Sequence, residues 1–177
     1  MAAGILWRTR VEPIDDAAAH ASFAAACDLG VGDGCAQAAT DLLSGTGTSR
    51  DPARALALLE TACASSSGLA CFNLAILTRE GTFAPADATA AYALFEKACA
   101  LELAAGCTEQ ALVVETEAGG KPRARALYEK ACAASAKACF FLAAFLERER
   151  DLKRARELYD LACGAGSAPA CDQLRSP

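Results

Sequence analysis

The sequence predicts an all-α fold, an α/α solenoid of five helical hairpins, and three observations carry that expectation. Alanine, the strongest helix former, supplies 45 of the 177 residues. Aromatic residues make up only 6%, and no run alternates Val, Ile and Thr at the two-residue period of a strand. The ten cysteines fall at regular intervals, at 27/35, 63/71, 99/107, 132/139 and 163/171. Gaps within the couples are 8, 8, 8, 7 and 8 residues, and first members recur after 36, 36, 33 and 31. A period of this length marks stacked supersecondary units.

Each couple sits between two helical runs. ALALLETAC ends at Cys63, AYALFEKAC at Cys99, RALYEKAC at Cys132 and RELYDLAC at Cys163. CFNLAILTREG begins at Cys71 and CFFLAAFLERER at Cys139. A unit is therefore a helix ending near its first Cys, a short turn, and a helix beginning at its second. The turns hold Gly30, Gly32, Gly34, Gly68, Gly106, Gly164 and Gly166, expected as helix C-caps and turn residues. Five hairpins result, at about 15–43, 51–80, 86–117, 121–149 and 151–175, in a single domain 15–177. Residues 1–14 form an N-terminal extension, expected with the 168–175 helix to cap the ends of the stack. The connectors SGTGTSRDP, REGTFAPAD and EAGGKPR carry Gly and Pro, and around Arg150 and Asp151 the connector nearly vanishes, which shortens the last period. Asp51, ahead of Pro52, and Asp87 are expected to cap the helices that follow them. Phe23, Leu59, Phe95, Tyr128 and Tyr159 stand four residues before the first Cys of each couple and are expected in the core.

Charge and hydropathy narrow the function classes. A net charge of −5 argues against a nucleic-acid surface, which shows a basic stripe. The 54% hydrophobic fraction is largely alanine. No stretch approaches the roughly 18 uninterrupted apolar residues of a transmembrane helix, so no membrane insertion is expected. An even number of regularly spaced cysteines reads as a disulfide framework. Antiparallel helices roughly 8–10 Å apart bring residues flanking a tight turn near the roughly 5.5–6 Å Cα separation that a bridge prefers. The expected bridges are Cys27–Cys35, Cys63–Cys71, Cys99–Cys107, Cys132–Cys139 and Cys163–Cys171. Each closes a loop of about nine residues, worth roughly 2–3 kcal/mol. Such a framework belongs in an oxidising compartment, periplasmic or secreted, with a targeting segment removed. The opening Met-Ala-Ala-Gly-Ile-Leu-Trp-Arg is too short for a signal-peptide apolar region, and a cytoplasmic chain with reduced thiols remains the alternative. A zinc site is the other use of ten cysteines. The spacing is not the usual knuckle and His20 is the only histidine, so no metal and no cofactor are expected.

Residues 36–63, AQAATDLLSGTGTSRDPARALALLETAC, hold a small-residue and Leu helix, a G-x-G turn, an Asp, then A-x-x-L-x-x-x-A. In this pattern the chain resembles the Sel-1-like repeat family, relatives of the tetratricopeptide repeats, from about Asp15 to Leu174. The paired cysteines narrow the likeness to a cysteine-rich branch similar to the secreted Helicobacter cysteine-rich proteins. A respiratory-chain assembly factor of the mitochondrial intermembrane space shares the device, which adds that compartment as an alternative. The resemblance implies a right-handed superhelix with a concave groove and a non-enzymatic scaffold that binds a protein or peptide. The last two connectors lack the G-x-G turn and are expected to differ in shape. The branch also includes proteins described as weak β-lactamases or penicillin binders. The resemblance therefore implies two alternatives, β-lactam or cell-wall-peptide binding and hydrolysis, and a redox- or cofactor-linked assembly factor. No residue pattern supports chemistry. Ser-x-x-Lys, K-T-G, G-x-S-x-G, H-E-x-x-H and a Gly-rich phosphate loop are all missing, so no catalytic residue is assigned.

Helical geometry singles out a candidate ligand face. In the helix after each second Cys, positions three, four and seven beyond it are mostly Ala or Leu and form the packed stripe. At about 100° per residue, positions two, five and nine lie opposite. They read Gln37/Thr40/Ser44, Asn73/Ile76/Glu80, Glu109/Leu112/Thr116 and Phe141/Ala144/Arg148. By analogy with related solenoids this stripe lines the groove. Its non-repeating members Asn73, Ile76, Glu80, Glu109, Leu112, Phe141 and Arg148 are the candidate contacts for a protein or peptide bound by a monomer. An ordinary solvated face is the alternative. Residues 1–88 carry 5 basic and 10 acidic side chains, and residues 89–177 carry 12 of each. Arg148, Arg150, Lys153, Arg154 and Arg156 are interleaved with Glu147, Glu149, Asp151 and Glu157, as helix-surface ion pairs four residues apart would require. His20 is expected on a helix outside the repeat.

Overall fold

A computed structural model describes residues 15–175, which form ten α-helices, one 3₁₀ turn and, among these residues, no strand. In order they are α1 (Asp16–Asp28), α2 (Gly32–Ser44), α3 (Pro52–Ala64), α4 (Gly68–Glu80) and α5 (Ala88–Ala100). Then follow α6 (Ala104–Glu115), α7 (Lys121–Ala134), the 3₁₀ turn Ala136–Ala138, α8 (Cys139–Arg148), α9 (Leu152–Gly164) and α10 (Ala168–Arg175). Each helix packs on its neighbours in sequence, and α4 also meets α2 and α6, so the helices stack as a solenoid. The extension 1–14, with its expected capping role, lies outside the described residues.

Local chemistry sets the helix starts. The Asp51 carboxylate accepts from the Arg54 N–H at 3.1 Å, with Pro52 at the first helical position. Asp87 accepts from Thr89 and Ala90 N–H groups, and Asp151 from Arg154. Each short carboxylate satisfies an N–H that has no partner inside its helix.

The five cysteine couples are disulfides, with Cα separations of 4.4, 4.6, 4.4, 4.2 and 4.8 Å in chain order. These are shorter than the separation expected above, because small residues let the two helices touch. The residue before each first Cys is Ala26, Ala62, Ala98, Ala131 or Ala162, and the residue before each second Cys is Gly34, Ala70, Gly106, Ala138 or Ala170. A Cβ on Gly34 would lie 2.7 Å from the Ala26 Cβ, and one on Gly106 would lie 2.7 Å from the Ala98 Cβ.

That corrects the reading of the glycines. Of the seven glycines, only Gly30 and Gly166 adopt left-handed backbone in the turns between paired cysteines, at φ 82° and 85°. Gly34 and Gly106 are contact residues inside helices, and Gly32, Gly68 and Gly164 also lie within helices. Ser66 and Glu102 occupy the same left-handed turn position, three residues after the first Cys, at φ 69° and 63°. In the seven-residue couple, Ser135 is extended at φ −150° and the 3₁₀ turn replaces the left-handed residue. The later connectors do differ in shape. Gly45 and Gly81 close α2 and α4 in the left-handed region, whereas Thr116 caps α6 in right-handed helical backbone.

The core follows the repeat. Leu59, Phe95, Tyr128 and Tyr159 are buried between layers of alanine. Phe23 is only half-buried, and α1 buries no residue, because among the described residues only one side of that helix is covered.

Candidate functional site

The even-numbered helices carry the face singled out by spacing. Ala38, Ala39, Leu42, Ala75, Ala111, Val114, Leu142, Ala143 and Leu146 fill their packed stripe. On the opposite stripe, Leu112 and Phe141 stand 42% and 38% exposed. Phe141 lies edge-on to Phe140, with ring centroids 5.3 Å apart. Ile76 is half-buried and packs against the cluster of Ala75, Ala91 and Phe95. Glu80 is exposed at the end of α4.

The polar candidates are tied across repeats. Asn73 Nδ2 donates to Thr40 Oγ1 at 3.4 Å, from α4 to α2. Arg79 on α4 donates to Glu109 on α6 at 2.6 Å, while its guanidinium also stands 5.3 Å from the Phe95 ring centroid. Arg148 on α8 donates to Glu115 on α6 at 2.7 Å. Asn73, Glu109 and Arg148 thus form rungs of an inter-repeat ladder. Arg148 does not find its partner four residues away on its own helix, which corrects the expected pattern of local pairs. Arg154 and Glu157 do pair along one helix, at 3.7 Å.

Two phenols complete this network, and spacing alone did not assign them a polar role. Tyr128 donates to Glu115 at 3.0 Å and Tyr159 donates to Glu147 at 2.8 Å. Burial, with the facing carboxylate second, pushes both phenols above their ordinary range. The bond to Glu115 raises Arg148 as well. For Arg148 the available signal was opposite charge at nearly equivalent positions of successive units, Glu115 after Cys107 and Arg148 after Cys139; Arg79 and Glu109 occupy different positions of their units and offered no such signal.

His20 Nδ1 lies 3.1 Å from Asp41 Oδ2, both largely buried. Its helix, α1, ends at the first disulfide and packs on α2 like the later odd-numbered helices, so His20 belongs to the repeating array. Among the described residues no group of three or more His, Cys, Asp or Glu side chains is placed to hold a metal. No described helix is long and apolar enough to cross a membrane. An open cavity of about 250 Å³ lies between α6 and the α7–α8 turn, with Glu109 and Phe141 on its wall.

Stacked antiparallel helices with an inter-repeat polar ladder define an α-helical repeat scaffold. The Sel1 repeat family matches residues 24–67, 68–103, 121–135 and 136–167, more than half of the chain, so the chain belongs to the Sel1 repeat family. Two solved structures share the fold. A Sel1 repeat protein from Oxalobacter formigenes superposes with a TM-score of 0.76 at 21% identity, covering 90% of this chain and 69% of that one. A protective antigen present in uropathogenic Escherichia coli strains, displaying an SLR fold, gives a TM-score of 0.73 at 21% identity. That match covers 90% of this chain and 36% of the antigen. No curated protein matches the sequence.

The family boundaries shift the phase of the units by one helix. Units 24–67 and 68–103 meet between Cys63 and Cys71, and units 121–135 and 136–167 meet between Cys132 and Cys139. The helix pairs α2–α3, α4–α5, α6–α7 and α8–α9 also pack more extensively than the intervening pairs joined by disulfides. The Cys63–Cys71 and Cys132–Cys139 bridges therefore staple one family repeat to the next, whereas Cys27–Cys35 lies within the first matched unit. Five disulfides fit an oxidising compartment.

Proposed function

We propose that the chain is a non-enzymatic scaffold that binds a protein or peptide segment along the face of α4, α6 and α8. It acts as a monomer in the periplasm or outside the cell. The observation that carries this reading is the pair of exposed apolar side chains, Leu112 and Phe141, on successive even-numbered helices. The polar side chains beside them, Glu109 and Arg148, are already bonded between repeats. Disulfides and ladder hold the face in one shape before a ligand arrives, which lowers the ordering cost of binding. Ile76 and Glu80 extend the same stripe along α4.

The test is selection of short peptides, about a dozen residues long, from a displayed random library on the oxidised protein. Affinities are then measured for Leu112→Asp and Phe141→Asp. Each is expected to weaken binding about tenfold or more, as loss of a central apolar anchor does. Leu161→Asp, on the odd-numbered helix α9, is expected to leave affinity unchanged. Selected peptides indifferent to both groove substitutions overturn the reading.

A further inference from the structure

The first odd-numbered helix lacks the burial that its counterparts have. In every later odd-numbered helix, the residues eight, four and one before the first Cys of the couple are buried. In α3 these are Ala55, Leu59 and Ala62, and in α9 they are Ala155, Tyr159 and Ala162. The same positions of α1, Ala19, Phe23 and Ala26, are only half-buried. In later units the preceding even-numbered helix closes over these positions. The Phe72 ring of α4 stands 5.7 Å from Phe95, and the Phe140 ring of α8 stands 5.8 Å from Tyr159. The open side of α1 is therefore the place of one more such neighbour, and the end of a repeat array needs that cover.

The chain supplies a segment of matching length at the matching end. α1 begins beside the α2–α3 connector, where a Cβ on Gly47 would overlap the Asp16 carbonyl. Residues ahead of Asp15 thus arrive at the end of the stack where α2 finishes and α3 starts. The shortest connector between an even-numbered helix and its successor is 149–151. A connector of the same length before α1 is 13–15, which contains Pro13, and it leaves the residues up to Glu12 as cover. α8 covers α9 with only 10 residues. In that register Leu6 and Trp7 take the positions of Leu142 and Ala143, both buried in α8. An indole has room where α8 carries alanine, because among the described residues no helix lies beyond α1. Charge agrees, with Arg8 and Arg10 on the segment and Asp15, Asp16 and Asp28 on α1 and its cap.

We propose that residues 4–12 cover the open side of α1, with Leu6 and Trp7 against Ala19, Phe23 and Ala26, in the place that an even-numbered helix takes in later units. The cover closes this end of the array against stacking by a second copy.

Trp7 is the single tryptophan of the sequence, so its fluorescence reads this contact alone. In the oxidised full chain its emission is expected to the blue of N-acetyltryptophanamide at every protein concentration, with several-fold weaker quenching by acrylamide. In an isotope-labelled sample, nuclear Overhauser contacts should run from the indole to the Ala19 and Ala26 methyls and the Phe23 ring. Ala19→Arg should return the emission to the red, whereas Ala21→Arg, at an exposed position of the same helix, should leave it unchanged. Trp7→Ala alters no residue of the solenoid itself and should speed amide hydrogen exchange in α1 about tenfold, with Trp7→Phe restoring much of the protection. An emission that matches the free derivative, indole contacts to another helix, or α1 exchange indifferent to Trp7→Ala overturns the proposal. A blue shift that vanishes on dilution seats a second copy on α1 and overturns it equally.

Discussion

The position three residues after the first Cys decides how each eight-residue turn closes. Gly30 and Gly166 take its left-handed backbone without penalty, but Ser66 and Glu102 adopt it with a Cβ, at a cost of about 1–2 kcal/mol each. Glycine also carries more entropy in the unfolded chain, worth roughly 0.5–1 kcal/mol against it. Ser66→Gly and Glu102→Gly are therefore expected to stabilise by about 0.5–1 kcal/mol, and Gly30→Ala to destabilise by about 1–2 kcal/mol. Denaturant unfolding of the oxidised protein measures both, and a destabilised Ser66→Gly variant would contradict the assignment. Individual residues were legible where the determinant is local. Asp51 and Asp87 could be read as caps because a cap needs only its next three residues. Arg148 could not be paired correctly, since Glu115 lies 33 positions away and meets it only through the stacking register.

At the scale of helices, the crossing beside each disulfide depends on having almost no side chain. Gly106 shows the limit: a Cβ there would lie 2.7 Å from the Ala98 Cβ and 2.8 Å from the Cys99 amide nitrogen. Gly164, at the end of α9, has nothing within 4 Å of its Cβ position and no left-handed backbone. The two glycines should respond oppositely to the same change. Gly106→Ala is expected to cost about 1–3 kcal/mol by overpacking. Gly164→Ala should be neutral or gain up to about 1 kcal/mol from helix propensity. Equal effects in a thermal or denaturant melt would remove the close-contact explanation. Helix number and extent were readable from the period, the caps and the Gly- and Pro-bearing connectors. The roles of Gly34 and Gly106 were not, because a glycine next to a turn looks the same in sequence whether it bends the chain or admits a neighbour.

For the molecule as a whole, the phase of the staples matters more than their number. The cysteine spacing made the couples legible, but a solenoid can be divided into hairpins in two ways. The spacing does not say which division packs more tightly. In a repeat array stability is a sum of unit terms and nearest-neighbour interface terms. Bridges that cross from one family repeat into the next act on the interface terms, each closing a loop worth roughly 2–3 kcal/mol. Their loss should therefore uncouple repeats in addition to weakening them. Replacing Cys99 and Cys107 together by Ala cuts the central staple, between α5 and α6. Hydrogen exchange should then show two cooperative blocks, α1–α5 and α6–α10, opening at different denaturant concentrations. Replacing Cys27 and Cys35 instead should raise exchange in α1, which buries no residue, and leave α8 and α9 protected. Intact mass with alkylation fixes the starting state: no adducts before reduction, ten after. If the central double substitution lowers protection evenly from α1 to α10, the bridges act as generic restraints, and the groove's shape does not depend on where they cross.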